Sequence, residues 1–328
     1  MKRHKICKII LAILSVFLCV AFYELIGICI TYKKQPAVSD ATIKETQNIM
    51  SVVGRENTER AVIIEKNSQA LLERVRLIQN AKDEIILSTF AFKSDESGKL
   101  ILGALHDAAD RGVHVRILVD GMESWIDMEG NPYFYGLSSH ENVEIKLYNK
   151  ANPLKPWKTM GRMHDKYLIA DGKIYILGGR NTYNYFLGDF PGHKNFDRDV
   201  LVVCDEPQKD NSVNQLWNYF ETIWKQEDCR YFHNSKKLAD RQSVKKAVLE
   251  LQEGYQQYFE VNKEKICDTD YADETFETEK ITLLSNPIHT QAKEPVVWYQ
   301  LGELMKNAKE RVKIHTPYII CNDMMYNT

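Results

Sequence analysis

The strongest constraint on the fold is an alternation of helical and strand periodicity between residues 70 and 119. Leu71, Leu72, Val75 and Ile78 recur at the spacing of an amphipathic helix over 70–81, and residues 85–92 form a short apolar run suited to a buried strand. The pattern then repeats as a helix over 100–111 closed by Gly112 and a strand over 113–119. Helix and strand alternating with short connections predict parallel pairing, because a parallel neighbour is reached only by a crossover. The fold class is α/β, a mixed sheet flanked by helices.

Two further strands are predicted at 163–169 and 173–177, joined by Ala170-Asp171-Gly172, where Asp-Gly signals a tight hairpin turn. Residues 213–225 read as a helix with Leu216, Phe220 and Trp224 on one face. From 236 to 280 the chain is charge-rich and reads as helical at first, and its acidic end (Asp268, Asp270, Asp273, Glu274, Glu277, Glu279) then reads as a solvated linker. Beyond it, Leu304-Met305-Lys306-Asn307-Ala308-Lys309 echoes Leu77-Ile78-Gln79-Asn80-Ala81-Lys82, and Thr316 lines up with Thr89, which predicts a duplicated architecture at an offset of about 227 residues.

At the N-terminus, residues 9–32 are apolar apart from Glu24 and reach about 36 Å as a helix, enough to cross a ~30 Å hydrocarbon core. No A-x-A-like cleavage site follows, so an uncleaved anchor is expected over a signal peptide. Lys2, Arg3, Lys5 and Lys8 before the span against Lys33 and Lys34 after it orient the globular part outside the cytoplasm, in the cell membrane. The expected organisation is an anchor over 1–34, a stalk over 35–67, a catalytic domain over 68–235, a charged linker over 236–280 and the incomplete start of a second repeat over 281–328. With 43 Lys+Arg against 45 Asp+Glu there is no whole-protein basic field, and nucleic acid is disfavoured as a partner. Cys204, Cys229, Cys267 and Cys321 show no metal-like spacing and fit either pairing outside the cytosol or burial as small residues.

Chemistry concentrates in Met163-His164-Asp165-Lys166 and in Gly178-Gly179-Arg180-Asn181. On an extended strand His164 and Lys166 share a face about 7 Å apart. An imidazole there can attack phosphorus or move a proton, while a fixed ammonium neutralises phosphoryl oxygens. Gly178 and Gly179 admit close backbone approach, and the Asn181 amide can donate to a phosphate. Asp171 is most simply the turn residue of the hairpin. Trp125, Tyr133, Phe134 and Tyr135 fit an apolar approach to the site or, more commonly, core.

These residues resemble the phospholipase D superfamily, whose motif His-x-Lys-x4-Asp-x6-Gly-x-x-Asn is matched by His164, Lys166, Asp171, Gly178 and Asn181, with Gly179 where many members carry Ser. Residues 111–120, Arg198-Asp199, Phe220-x3-Trp224 and Thr316-Pro317-Tyr318 resemble the bacterial cardiolipin synthase branch. The resemblance implies phosphodiester cleavage or exchange through a phosphohistidine, without metal or cofactor. It makes His164, Lys166 and Asp171 the catalytic set, with Asp171 more structural than chemical. Lys166, Gly179 and Asn181 become phosphate ligands, and Asp199 the candidate that orients the imidazole. Phospholipid and membrane are the implied partners. The family uses two motifs and this sequence holds one; a second, at the repeat offset, would fall near position 391. Truncation, homodimerisation or an inactive remnant would each account for this, and the partial repeat favours truncation. The expected function is a membrane-anchored phosphodiesterase or phosphatidyltransferase, inactive alone as a fragment; the alternatives are a nuclease of the same family and a non-catalytic phosphate-binding remnant.

Overall fold

The computed structural model describes residues 2–51, 59–152, 154–233, 235–316 and 326. The chain forms two compact units, one of Met1–Arg55, Asn152–Gly161 and Thr282–Thr328, the other of Glu56–Ala151 and Arg162–Ile281.

In the first unit, helix α1 (Lys2–Tyr32) runs unbroken through the apolar stretch. Its His4–Tyr32 portion has a mean hydropathy of 2.7 in its most apolar window and none of that window is buried, so it is long and apolar enough to cross a membrane. Helix α2 (Asp40–Ser51) follows, within the expected stalk.

The second unit is built on a nine-stranded mixed sheet. Its strands are β1 (Glu59–Ile64), β2 (Glu84–Thr89), β3 (His114–Asp120), β4 (Val143–Tyr148), β5 (Tyr167–Ala170), β6 (Ile174–Gly178), β7 (Asp199–Cys204), β8 (Cys229–Tyr231) and β9 (Phe276–Glu277). They lie in the order β8-β4-β3-β2-β5-β6-β7-β1-β9, with β2, β3 and β4 parallel and the other pairs antiparallel. Helices α3 (Asn67–Asn80), α4 (Glu96–Asp110), α5 (Glu123–Asp127), α6 (Pro132–Ser138), α7 (Ser212–Trp224) and α8 (Gln242–Cys267) surround it. Side-chain alternation sorts the two faces. Val115, Ile117 and Val119 of β3 join Val75 and Ile78 of α3 and Leu102 and Leu105 of α4 in one core. Arg116, between them, turns to α7 and pairs with Glu221 and, at 2.8 Å, with Glu84. Helices on both faces explain why β2 and, Arg116 apart, β3 read as mainly apolar instead of half-polar alternations.

Three expectations need correction. Residues 236–280 do not form a linker: α8 buries Val244, Ala247, Leu251 and Tyr255, with Val244, Leu251 and Tyr255 in the core cluster, and β9 pairs with β1. Within the expected stalk, β1 is a sheet strand, paired along its whole length with β7. The strand expected over 163–169 begins only at Tyr167, so His164 and Lys166 lie in the extended segment leading into β5. Farther on, the first unit contains helix α9 (Val296–Lys306), and residues 309–316 carry no strand; Pro317, Tyr318 and Cys321 lie outside the described residues. The aromatic set divides: Phe134 and Tyr135 are core, whereas Trp125 is exposed.

Candidate active site

Strands β2 and β3 end at Thr89 and Asp120, the edge of a parallel sheet where ligands collect. Because β5 is antiparallel to β2, with Tyr167 opposite Ser88, the segment entering β5 arrives at this edge. Phe90, just past β2, packs its ring 4.6 Å from the His164 imidazole. Asp120 secures the approach: its buried carboxylate accepts from Met163 N at 3.0 Å and from Met122 N at 2.9 Å, and Arg162 Nη1 stands 3.5 Å away. Burial raises the pKa of Asp120 despite Arg162.

His164 is exposed and Lys166 is buried. Lys166 Nζ donates to the His164 carbonyl at 2.6 Å and lies 3.1 Å from His164 Nδ1. Desolvation, followed by the Lys166 charge, holds the His164 pKa below its ordinary value, with Asp165 and Asp120 opposing. Burial pushes the Lys166 pKa down to about 8 against the pull of Asp165 and Asp197. Below that pH Lys166 is a charged donor; since an ammonium has no lone pair, Nδ1 is the acceptor and the imidazole proton sits on Nε2. Asn181 is buried, and its Oδ1 accepts from Ala91 N at 3.3 Å, while Thr182 N donates to Ala91 O at 3.1 Å. The chain after β6 is thereby stitched to the chain after β2.

Two predicted residues stand apart. Asp171 lies in the hairpin turn with φ 52°, at the opposite end of β5 from His164, and its carboxylate accepts from the backbone N–H groups of Lys82, Asp83 and Glu84 at 2.9, 2.8 and 3.0 Å. It anchors the loop into β2. Asp199, expected to orient the imidazole, is instead buried in an arginine clamp, with Oδ2 2.9 Å from Arg74 Nη2 and 3.3 Å from Arg180 Nη1. The carboxylates that act on the His-Lys pair are Asp120, Asp165 and Asp197.

The glycine pair also has another use. Gly178 pairs with Asp199 across β6 and β7, and a Cβ on it would fall on Asp199 Oδ1 and lie 2.7 Å from the Arg198 carbonyl oxygen. A Cβ on Gly179 would fall on the Asp197 carboxylate. The space read as room for phosphate is filled by two acidic side chains. Gly178→Ala is expected to destabilise the fold by about 1–3 kcal/mol, read as a lowered denaturation midpoint, because the conflict is partly with backbone. Among the described residues no group of three or more His, Cys, Asp or Glu side chains is disposed to hold a metal ion.

Fold and side chains together define an α/β domain whose sheet edge carries the His164-Lys166 pair and Asn181. Residues 75–224 match the family model described as cardiolipin synthase, PLD-like domain, a match that together with cardiolipin synthase relatives supports the phospholipase D superfamily. Over 292 residues the chain is 27% identical to an uncharacterized protein of Helicobacter pylori, covering 80% of this chain and 55% of that protein. It is 29% identical over 154 residues to cardiolipin synthase C of Escherichia coli, covering 43% of this chain and 31% of that one. Against NucT from Helicobacter pylori the structure superposes with a TM-score of 0.41 at 18% identity, over 53% of this chain and 99% of that one. The chain thus spans about half, or less, of the length of these curated relatives.

Proposed function

We propose that this chain carries one catalytic half of a membrane-anchored, cardiolipin synthase-like phosphatidyltransferase, with α1 as anchor. The observation that carries the reading is the exposed His164 imidazole, kept neutral and set 3.1 Å from the buried Lys166 ammonium. A phosphodiester arriving at the edge draws Lys166 Nζ and the Asn181 amide onto its non-bridging oxygens. Released from Lys166, Nδ1 takes up the imidazole proton through water and Nε2 gains a free lone pair. Nε2 attacks phosphorus, a P–N bond forms and the P–O bond to the leaving alcohol breaks. The departing alkoxide takes a proton from a second motif histidine, supplied in cis or by a second copy. An acceptor hydroxyl then returns that proton to the second histidine, attacks phosphorus and breaks the P–N bond. The charge bias around α1 supports an extracytoplasmic globular part.

Incubating the full chain in phosphatidylglycerol vesicles tests the lipid reading through the appearance of diphosphatidyl product. Product supports it; cleavage of nucleic acid with lipid untouched would replace it with the nuclease reading. Since the reaction needs neutral His164 and charged Lys166, kcat/KM is expected to rise on the acid side below the ordinary histidine pKa and fall near pH 8. Lys166→Arg should move the alkaline limb upward, because a guanidinium keeps its proton; an unmoved limb would count against Lys166 as the titrating group.

A further inference from the structure

The chain leaves the second unit after Ala151, packs as Asn152–Gly161 in the first unit and re-enters the second at Arg162, two residues before His164. A 3-10 turn, Pro156–Lys158, lies against the C-terminal turns of α1. Tyr23 Oη donates to the Leu154 carbonyl at 3.4 Å and Thr159 Oγ1 to the Glu24 carboxylate at 3.1 Å, while Tyr32 Oη, which donates to the Thr290 carbonyl at 2.5 Å, lies 3.5 Å from the Trp157 carbonyl. Gly27 permits the closest approach, since a Cβ there would come within 2.7 Å of Pro156 Cβ. The turn therefore covers the polar groups that interrupt an otherwise apolar helix. Its own apolar side chains stay uncovered: Leu154 is 77% exposed, Met160 58% and Trp157 39%, with Lys155 and Lys158 interleaved.

A lipid surface is the occupant that fits. A helix entering hydrocarbon at Ile9, where the apolar run begins, and rising about 1.5 Å per residue has crossed ~30 Å by about Cys29. Contacts at Gly27 and Tyr32 then fall at the boundary of hydrocarbon and headgroups and those at Tyr23 and Glu24 within about 9 Å of it, the depth at which amphipathic segments lodge, where Trp and Tyr accumulate and lysines reach for lipid phosphates. We infer that residues 154–160 form an interfacial loop that places Leu154, Trp157 and Met160 in the headgroup layer of an anionic bilayer. His164 follows Gly161 by three residues, so the loop and the imidazole belong to one short stretch of chain. The inference rests on α1 being the anchor.

The test uses the full chain in vesicles of phosphatidylcholine and phosphatidylglycerol, with and without brominated acyl chains, alongside alkaline carbonate extraction. The tryptophan emission lost in Trp157→Phe is expected to be at least halved by the brominated lipid. Paired Lys155→Glu and Lys158→Glu changes should weaken that quenching. Met160→Trp in the Trp157→Phe background repeats the reading at a second position. A chain that resists carbonate while both positions stay unquenched overturns the loop and leaves the anchor standing. Release by carbonate overturns the anchor, and the loop with it.

Discussion

Asp199→Ala is expected to cost about 3–5 kcal/mol of stability. Its carboxylate is wholly buried between Arg74 and Arg180, whose side chains are 5% and 0% exposed. Both guanidiniums retain backbone acceptors without it: Arg74 donates to Ala70 O at 2.8 Å, and Arg180 to Ile64 O at 3.2 Å and Glu65 O at 2.7 Å. Neutral acceptors leave the two buried positive charges without their shared counter-ion. Asp199→Asn preserves shape and removes only the charge, so it should give most of the loss. Chemical denaturation of the detergent-held chain measures the effect. The same variants separate this structural role from an imidazole-orienting one: stability should fall while the acid limb of the pH profile stays put. A shifted acid limb with stability intact would restore Asp199 to the histidine.

His164→Ala is expected to lower phosphodiester turnover by a factor on the order of 10⁴ or more, since it removes the imidazole on which the proposed covalent intermediate forms. The fold should hardly notice. His164 is exposed, with Phe90 as its ring contact, and surface changes of this kind usually stay within about 0.5 kcal/mol. His164→Asn, a polar side chain of intermediate size, should be equally inactive. Activity within tenfold of the parent in either variant, measured with the same lipid substrate, would remove His164 from the chemistry.

Local pattern made some of this legible and concealed the rest. The helix and strand order from α3 to β3 was readable because burial on both faces makes β2 and, Arg116 apart, β3 mainly apolar and gives α3 a 3.6-residue stripe. The stripe of α8 exists too, as Val244, Ala247, Leu251 and Tyr255, but charged neighbours around the remaining turns made composition point to solvent. β1 escaped notice because a short strand following polar sequence has little period of its own, and its long-range pairing with β7 defines it. In the site, His164, Lys166 and Asn181 were found through residue chemistry at fixed spacing. The partners were not, because they depend on register. Gly178 faces Asp199 only through the β6–β7 pairing, and Asp120 reaches Met163 from 43 positions earlier in the chain. Asp197 was missed although it precedes Asp199 by two residues and so shares its side of an extended chain; that period was the available signal.

The central claim is that His164 becomes covalently bonded to phosphorus. A phosphatidyl ester of p-nitrophenol tests it most directly, because nitrophenolate leaves without a proton and the first half-reaction then needs no second histidine. The full chain is expected to release a burst of nitrophenolate equal to the enzyme present, and to retain an acid-labile, base-stable phosphatidyl adduct that peptide mass spectrometry finds on His164 and that is absent from His164→Ala. A burst that survives in His164→Ala, or an adduct on any other residue, would contradict the account.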